Sequence, residues 1–280
     1  MMAPVLPFTF GIALAPRAAA RNWPLVEALL DLTLASVRAQ TDQDFRVDIA
    51  GHDRPRTTMD GDPRLSFHEA SWPVQEPGPH NDDGGRKKHA ISDLVLGRGG
   101  GLLMILDADD WVDIRLVETA RAMVAAGRDC VGAVITTGFA TDFRSLRAVP
   151  VPHPRVYRGW FHRVCGSSII ARLRPGEADP LRRDPLDLLR SHHRWIEAAR
   201  EHRVQLVRLP VAGNYVINTS ENHSEIHGPH AAWRRWFTAR VNREGRMMDA
   251  ALASRFGLGL DRIHAASARF RAPAAATLAG

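Results

Sequence analysis

Two spacings of apolar residues alternate along this chain: short unbroken runs, and segments in which an apolar residue recurs every three or four positions. An unbroken run of about five reads as a strand buried on both faces, and a three-four repeat reads as a helix with one buried stripe. Residues 5–14 are therefore a strand, closed by Pro16. Val26, Leu30, Thr33 and Val37 share one helical face behind Pro24, which suits a first turn, so 24–39 is a helix. A second strand at 45–50 ends in Gly51-His52-Asp53. Residues 54–63, rich in Pro, Asp and Thr, are a loop, and 65–69 a short strand. Three prolines and three glycines make 71–85 a long loop. A helix at 86–97, a strand at 102–106 and a helix at 114–126 follow. Further strands are expected at 130–136, 164–171 and 204–209, the last stopped by Pro210. Residues 173–184 read as a charged loop, and 185–201 as a helix with a break near Ser191. The alternation predicts an α/β fold: a Rossmann-like, mostly parallel sheet flanked by helices, with ligands beyond the carboxyl ends of its strands. No internal repeat interrupts it.

With 280 residues and 45% apolar content, the chain can bury one sizeable core. The expected division is a main domain at 1–228 and a basic helical C-terminal extension with a flexible tail at 229–280. No run is long enough to span a bilayer. The apolar start at 5–15 has no Lys or Arg before it, so a first strand is expected there rather than a signal peptide. Cys130 and Cys165 form no metal-ligand spacing, which suits a reduced, cytoplasmic protein. The net charge of +6 lies wholly in residues 231–280, where nine Arg face only Glu244, Asp249 and Asp261. With Trp233, Trp236 and Phe237, that region suits peripheral contact with the anionic inner face of a membrane. A solvated helix with a frayed end is the alternative. No recognition motif accompanies the charge, so nucleic acid is not expected.

Candidate chemistry concentrates where Leu102-Leu103-Met104-Ile105-Leu106 runs into Asp107-Ala108-Asp109-Asp110. Asp107 and Asp109 are two apart and point the same way in extended chain. Converging carboxylates repel unless a cation joins them, and oxygen ligands suit Mg²⁺ or Mn²⁺. A helix cap such as Asp113 needs one acid and not three behind a buried strand.

The segment GGGLLMILDADDWVD resembles the metal-binding segment of glycosyltransferases with the GT-A fold, especially those of family 2. The resemblance extends over roughly residues 5–225. It implies transfer of a sugar from a nucleotide-diphosphate sugar donor to a glycan or lipid-linked acceptor, with Asp109 on the metal, Asp107 on the sugar-nucleotide and Asp110 beside them. LTLASVRAQTDQDFRVDIAGHD is similar to the family's first helix and second strand, which makes Asp53 the acid that holds the nucleobase. NDDGGRKKHAISDLVLGRGG resembles the helix before the Asp-x-Asp strand, so Arg86 and Lys87 would meet the diphosphate. Its Gly-Arg-Lys-Lys start is similar to that of a group of rhamnosyltransferases. VCGSSIIAR resembles the strand and turn after the acceptor loop, with Gly166 and Ser167 permitting close approach. Trp160, Phe161 and His162 fall in the acceptor-facing region. The family's catalytic Glu-Asp pair is replaced by Ser191-His192-His193. His192 or His193 is then the expected base, with Asp187 as fallback. NYVINTSENHSEIHG resembles the closing segment: Asn218 stands near the usual His, and His223 or His227 would be a third metal ligand or touch phosphate. Two rival functions remain, a non-catalytic nucleotide-sugar or glycan-binding protein on the same fold and an Asp-x-Asp phosphatase. A third, a membrane-surface adaptor, would rest on the basic tail.

Overall fold

The computed structural model describes residues 6–78, 81–127, 129–177, 191–227 and 230–271. Strand and helix alternate to build one large sheet with helices on both faces, the expected α/β architecture. Strands β1 (Phe8–Ala13), β2 (Arg46–Gly51), β3 (Leu65–Glu69) and β4 (Gly101–Ile105) form a parallel block in the order β4-β1-β2-β3. The sheet continues with β5 (Trp111–Val112), β6 (Cys130–Asp142), β7 (Arg147–Val151), β8 (Ile169–Leu173), β9 (Gln205–Ile217) and β10 (Arg246–Met247). Here β8 runs antiparallel between β4 and β6, while β9 runs parallel to β6. The helices are α1 (Trp23–Arg38), α2 (Asp82–Gly97), α3 (Leu116–Ala125), α4 (Trp195–Glu201), α5 (His223–Ile226), α6 (Ala231–Glu244), α7 (Ala250–Arg255) and α8 (Leu260–Arg271).

Strand periodicity sorts the core. Leu102 and Met104 join Phe10, Leu30 and Leu116 under α1 and α3, while Leu103 and Ile105 join Ile91, Val95 and Trp195 under α2 and α4. Truncating Leu103 to Ala would cost about 2–5 kcal/mol, because no neighbour can fill the space fully. The basic C-terminal segment packs on this body. Its β10 pairs with β7, α6 buries Phe237 and Val241, and Phe256 and Ile263 join Leu25, Leu29 and Trp111. The boundary expected at 228/229 and residues 272–280 of the tail lie outside the described residues. No described helix is long and apolar enough to cross a membrane.

Several elements differ from the sequence pattern, each for a local reason. Helix α2 begins at Asp82 and not at residue 86, because Asn81 accepts from the Gly84 amide and Asp82 and Asp83 suit the positive end of the helix. Gly84 has no side chain to clash with that cap: a Cβ there would stand 2.6 Å from the Asn81 amide. Strand β9 runs through Pro210, because a bulge places one extra residue between the pairs Ile135–Leu209 and Thr137–Ala212. The missing proline N–H falls at that irregularity, where the ladder does not need it. Strand β6 extends to Asp142 and turns into β7, which the polar Thr-rich stretch at 136–141 conceals. Strand β8 starts at Ile169, after a 3₁₀ turn at Phe161–Arg163. The break expected near Ser191 is present, as an extended Ser191 and a 3₁₀ turn at His192–Arg194 ahead of α4, while residues 178–190, with the end of the expected loop and the start of the expected helix, lie outside the described residues.

Candidate functional site

A cavity of about 470 Å³ opens at the carboxyl end of the parallel block, and Asp107, Ala108 and Asp109 line it. Strand β4 places them there. The Leu106 amide still donates to the Gly11 carbonyl, after which the chain leaves the sheet. Three hydrogen bonds brace the turn. The Asp107 amide donates to Ser167 Oγ at 2.8 Å, Thr33 Oγ1 donates to the Ala108 carbonyl at 3.0 Å, and the Asp110 amide donates to the Asp107 carbonyl at 3.2 Å.

The three acids have separate environments. Asp110 is fully buried, accepting from the Val216 amide at 2.9 Å and from Cys165 Sγ at 3.3 Å. It ties the acidic turn to β9 and does not line the cavity. Burial, then the charge of Asp107, pushes its carboxyl from 3.8 up to about 7. Asp109 is 9% exposed, and its carboxyl is pushed well above the usual range by burial and then by Asp110 and Asp107. Asp107 is half-buried and faces Gly166: a Cβ on Gly166 would stand 3.5 Å from Asp107 Oδ2 and 3.9 Å from His192 Cδ2. Bare backbone therefore separates the carboxylate from the imidazole.

His192 lines the cavity, whereas His193 is exposed and bonded to Ser191 Oγ. Asp187 lies outside the described residues. His192 Nδ1 donates to the His162 carbonyl. A carbonyl only accepts, so Nδ1 carries the hydrogen and Nε2 keeps its lone pair. Burial pulls the His192 pKa down to about 4, which keeps the ring neutral near pH 7. His162 is buried with neither ring nitrogen hydrogen-bonded, and burial lowers it to about 4 as well. Trp160 packs against His162 and under Arg208, and it does not line the cavity.

The expected diphosphate cations fall elsewhere. Arg86 is exposed and outside the cavity lining. Lys87 is buried, donating to the Leu14 carbonyl at 2.7 Å and to Asp83 Oδ2 at 2.5 Å. Lys88 is the lysine that lines the cavity. Asp53 stands in an adjoining depression with Arg17, His52 and Trp72, where it accepts from the Arg17 amide at 2.8 Å. His223 and His227 both line the cavity with ring centroids 5.4 Å apart, and His223 Nε2 is buried without a hydrogen-bond partner. Asn218 instead bonds Asp142, away from the lining.

Among the described residues, no three His, Cys, Asp or Glu side chains converge to hold a metal ion unaided. His223 therefore does not complete a set with Asp107 and Asp109. Two carboxylates in one cavity, one hindered from ionising by burial and then by its neighbours' charge, fit a hard divalent ion whose other ligands come from phosphate oxygens and water. They do not fit a closed protein cage.

Sequence reasoning also passed over Tyr215 and Arg234, which line the cavity, and it took Lys87 rather than its neighbour Lys88 for the diphosphate. Arg234 belongs to the basic, aromatic run at 233–237, which was legible as a charge excess but carried no sign that one arginine turns inward.

No family model matches the chain, and no curated protein matches its sequence. Among solved structures it is similar to a protein assigned as a nucleotide-diphospho-sugar transferase from Desulfovibrio desulfuricans G20. That likeness has 11% identity over 84% of this chain and 97% of that one, at a TM-score of 0.33. It is also similar to the apo structure of the bifunctional glycosyltransferase WbbM, with 14% identity over 48% of this chain and a TM-score of 0.29. The match spans 24% of that protein. At these scores the likeness bears on neither the site nor the reaction.

Proposed function

We propose that the protein is a GT-A type glycosyltransferase that moves a sugar from a nucleotide-diphosphate donor to an acceptor hydroxyl, with inversion at the anomeric carbon. One observation carries the reading: Asp107, Asp109 and a tautomer-fixed His192 line a single cavity at the end of β4. Asp107 and Asp109 would hold Mg²⁺ or Mn²⁺, which when bound neutralises charge on the leaving diphosphate. Lys88 supplies a further cation to the phosphate oxygens. His192 Nε2 accepts the proton of the acceptor hydroxyl, and the oxygen attacks the anomeric carbon from the face away from the diphosphate. Gly166 leaves room for the acceptor between base and carboxylate. The His162 carbonyl keeps the ring oriented while the proton moves.

Calorimetric titration with UDP, dTDP and GDP tests the reading, first with Mn²⁺ and then with EDTA, on wild type and Asp109→Ala. Binding of one nucleotide that needs the metal and vanishes in the variant supports it. No binding of any nucleotide sinks it. The low basicity of His192 favours one rival, a donor-binding protein without turnover. That rival is separated by following release of nucleoside diphosphate from the matching sugar donor across a panel of acceptors.

A further inference from the structure

Arg234 sits on α6, in the segment the sequence sets apart as an extension, yet it lines the cavity. Its Nη1 donates to the Val164 carbonyl at 3.1 Å and to the Tyr215 hydroxyl at 2.6 Å. The rings of Tyr215 and Trp233 lie 5.1 Å from its guanidinium carbon. Its Nε is buried and has no hydrogen-bond partner. Among the described residues it forms no ion pair. A guanidinium carries five donors in a fixed fork, and here both bonds come from one nitrogen. Nε and Nη2 form the edge of that fork that meets an oxyanion with two parallel bonds. The Arg234 charge acts on the Glu225 carboxyl, yet no carboxylate touches it: two neutral oxygens and two aromatic rings hold it, which leaves its free edge open to an anion.

Placement decides which anion belongs there. Val164, which Arg234 holds, is two residues from His162, whose carbonyl holds His192. Arg234 and the proposed base thus grip one short turn, and Arg234 stands on the base's side of the cavity. The acceptor must reach that side to give up its proton. Beyond the cavity, α6 presents exposed Arg235 and Trp236, with Arg240 4.3 Å over the Trp236 ring. The chain's whole positive excess lies in this C-terminal region, so an approaching anion is drawn towards it.

We propose that Arg234 selects an acceptor bearing an oxyanion, a phosphate or a carboxylate, near the hydroxyl that receives the sugar. This rests on the transferase reading and adds to it a class of acceptor.

Calorimetry with glucose 1-phosphate, methyl glucuronide and neutral methyl glucoside tests it, on wild type, Arg234→Gln and Arg234→Lys. Each probe is measured with and without a saturating nucleoside diphosphate and Mn²⁺. At least one anionic probe should bind about ten-fold or more tighter than the glucoside, a preference that Gln abolishes and Lys keeps in part. The first two probes separate phosphate from carboxylate. Nucleotide affinity should stay within about two-fold in both variants, because the donor's charge is met elsewhere. Equal affinity for all three probes overturns the proposal, as does failure of both anionic probes to bind. A loss in Arg234→Gln that falls on the nucleotide instead also overturns it, by moving Arg234 to the donor. If Arg234→Gln does not fold, the decision rests on Lys, where an unweakened preference is fatal. Wild type that prefers anionic sugars but takes no nucleotide would fell the transferase reading and leave the Arg234 site standing.

Discussion

The two halves of the sheet serve one cavity by different means. The parallel block delivers Asp107 and Asp109 chiefly through local chain, one buried strand and the turn after it, with Ser167 and Thr33 bracing that turn. The mixed half delivers His192, Tyr215 and Arg234 through partners distant in sequence, such as the His162 and Val164 carbonyls. The acidic side is therefore set by strand periodicity, and the basic side by tertiary contact. Substitutions on the first should change the metal-held charge, while those on the second should change proton transfer and acceptor contact.

Asp109→Asn makes the sharpest test. Turnover should fall about a thousand-fold, since the metal-held charge is lost. Without metal, the variant should also melt higher than wild type, because a buried amide carries no charge to be stripped of water or opposed by Asp110 and Asp107. Steady-state kinetics and melting in EDTA check the two halves, and a variant that is active or less stable breaks the account. His192→Ala should lower kcat about a hundred-fold while donor affinity stays within about two-fold. His193→Ala should behave as wild type, and equal losses at both positions would remove His192 from its role.

A third test uses pH. Folding raises the Asp110 carboxyl from 3.8 to about 7, so its stabilising proton is present at low pH and is lost as pH climbs through that window. His162 and His192 run the other way. Each is lowered from 6.5 to about 4, so the stability of the neutral ring is present above 6.5 and lost as pH falls towards 4. Urea unfolding in EDTA should show Asp110→Asn gaining on wild type by roughly 2 kcal/mol between pH 5 and pH 7. A constant gap would contradict the burial of that charge. The smallest effect belongs to Pro210→Ala, which should shift stability by under about 1 kcal/mol, since the bulge leaves position 210 out of the ladder. A large loss would mean that the proline ring itself holds the bulge.

Legibility followed the same division. The strand at 102–106 and its acids could be read because five apolar residues in a row leave little choice of structure. The choice between Lys87 and Lys88 could not be made from a motif, although the four-residue spacing of Asp83 and Lys87 was the available sign that Lys87 is engaged. The histidines at 192 and 193 looked alike on a helical wheel. A 3₁₀ turn replaces the helix there, and it sends His192 to the His162 carbonyl and the cavity while His193 stays exposed. Arg234 was hidden because composition counts charges without saying which way a side chain turns. The run of β9 past Pro210 was hidden because proline ends a regular strand but not an irregular one.

That irregularity has a consequence for length variation. In a strand, odd and even positions belong to opposite faces, so one extra residue exchanges the two sets. Tyr215 lines the cavity, and Asn214 meets Thr141, only with the parity that the extra residue at 210–211 confers. Losing a single residue there would leave the rest of β9 unchanged in sequence and send Tyr215 to the wrong side. A kindred chain with a straight strand would have to reach the same cavity with its residues counted one step differently.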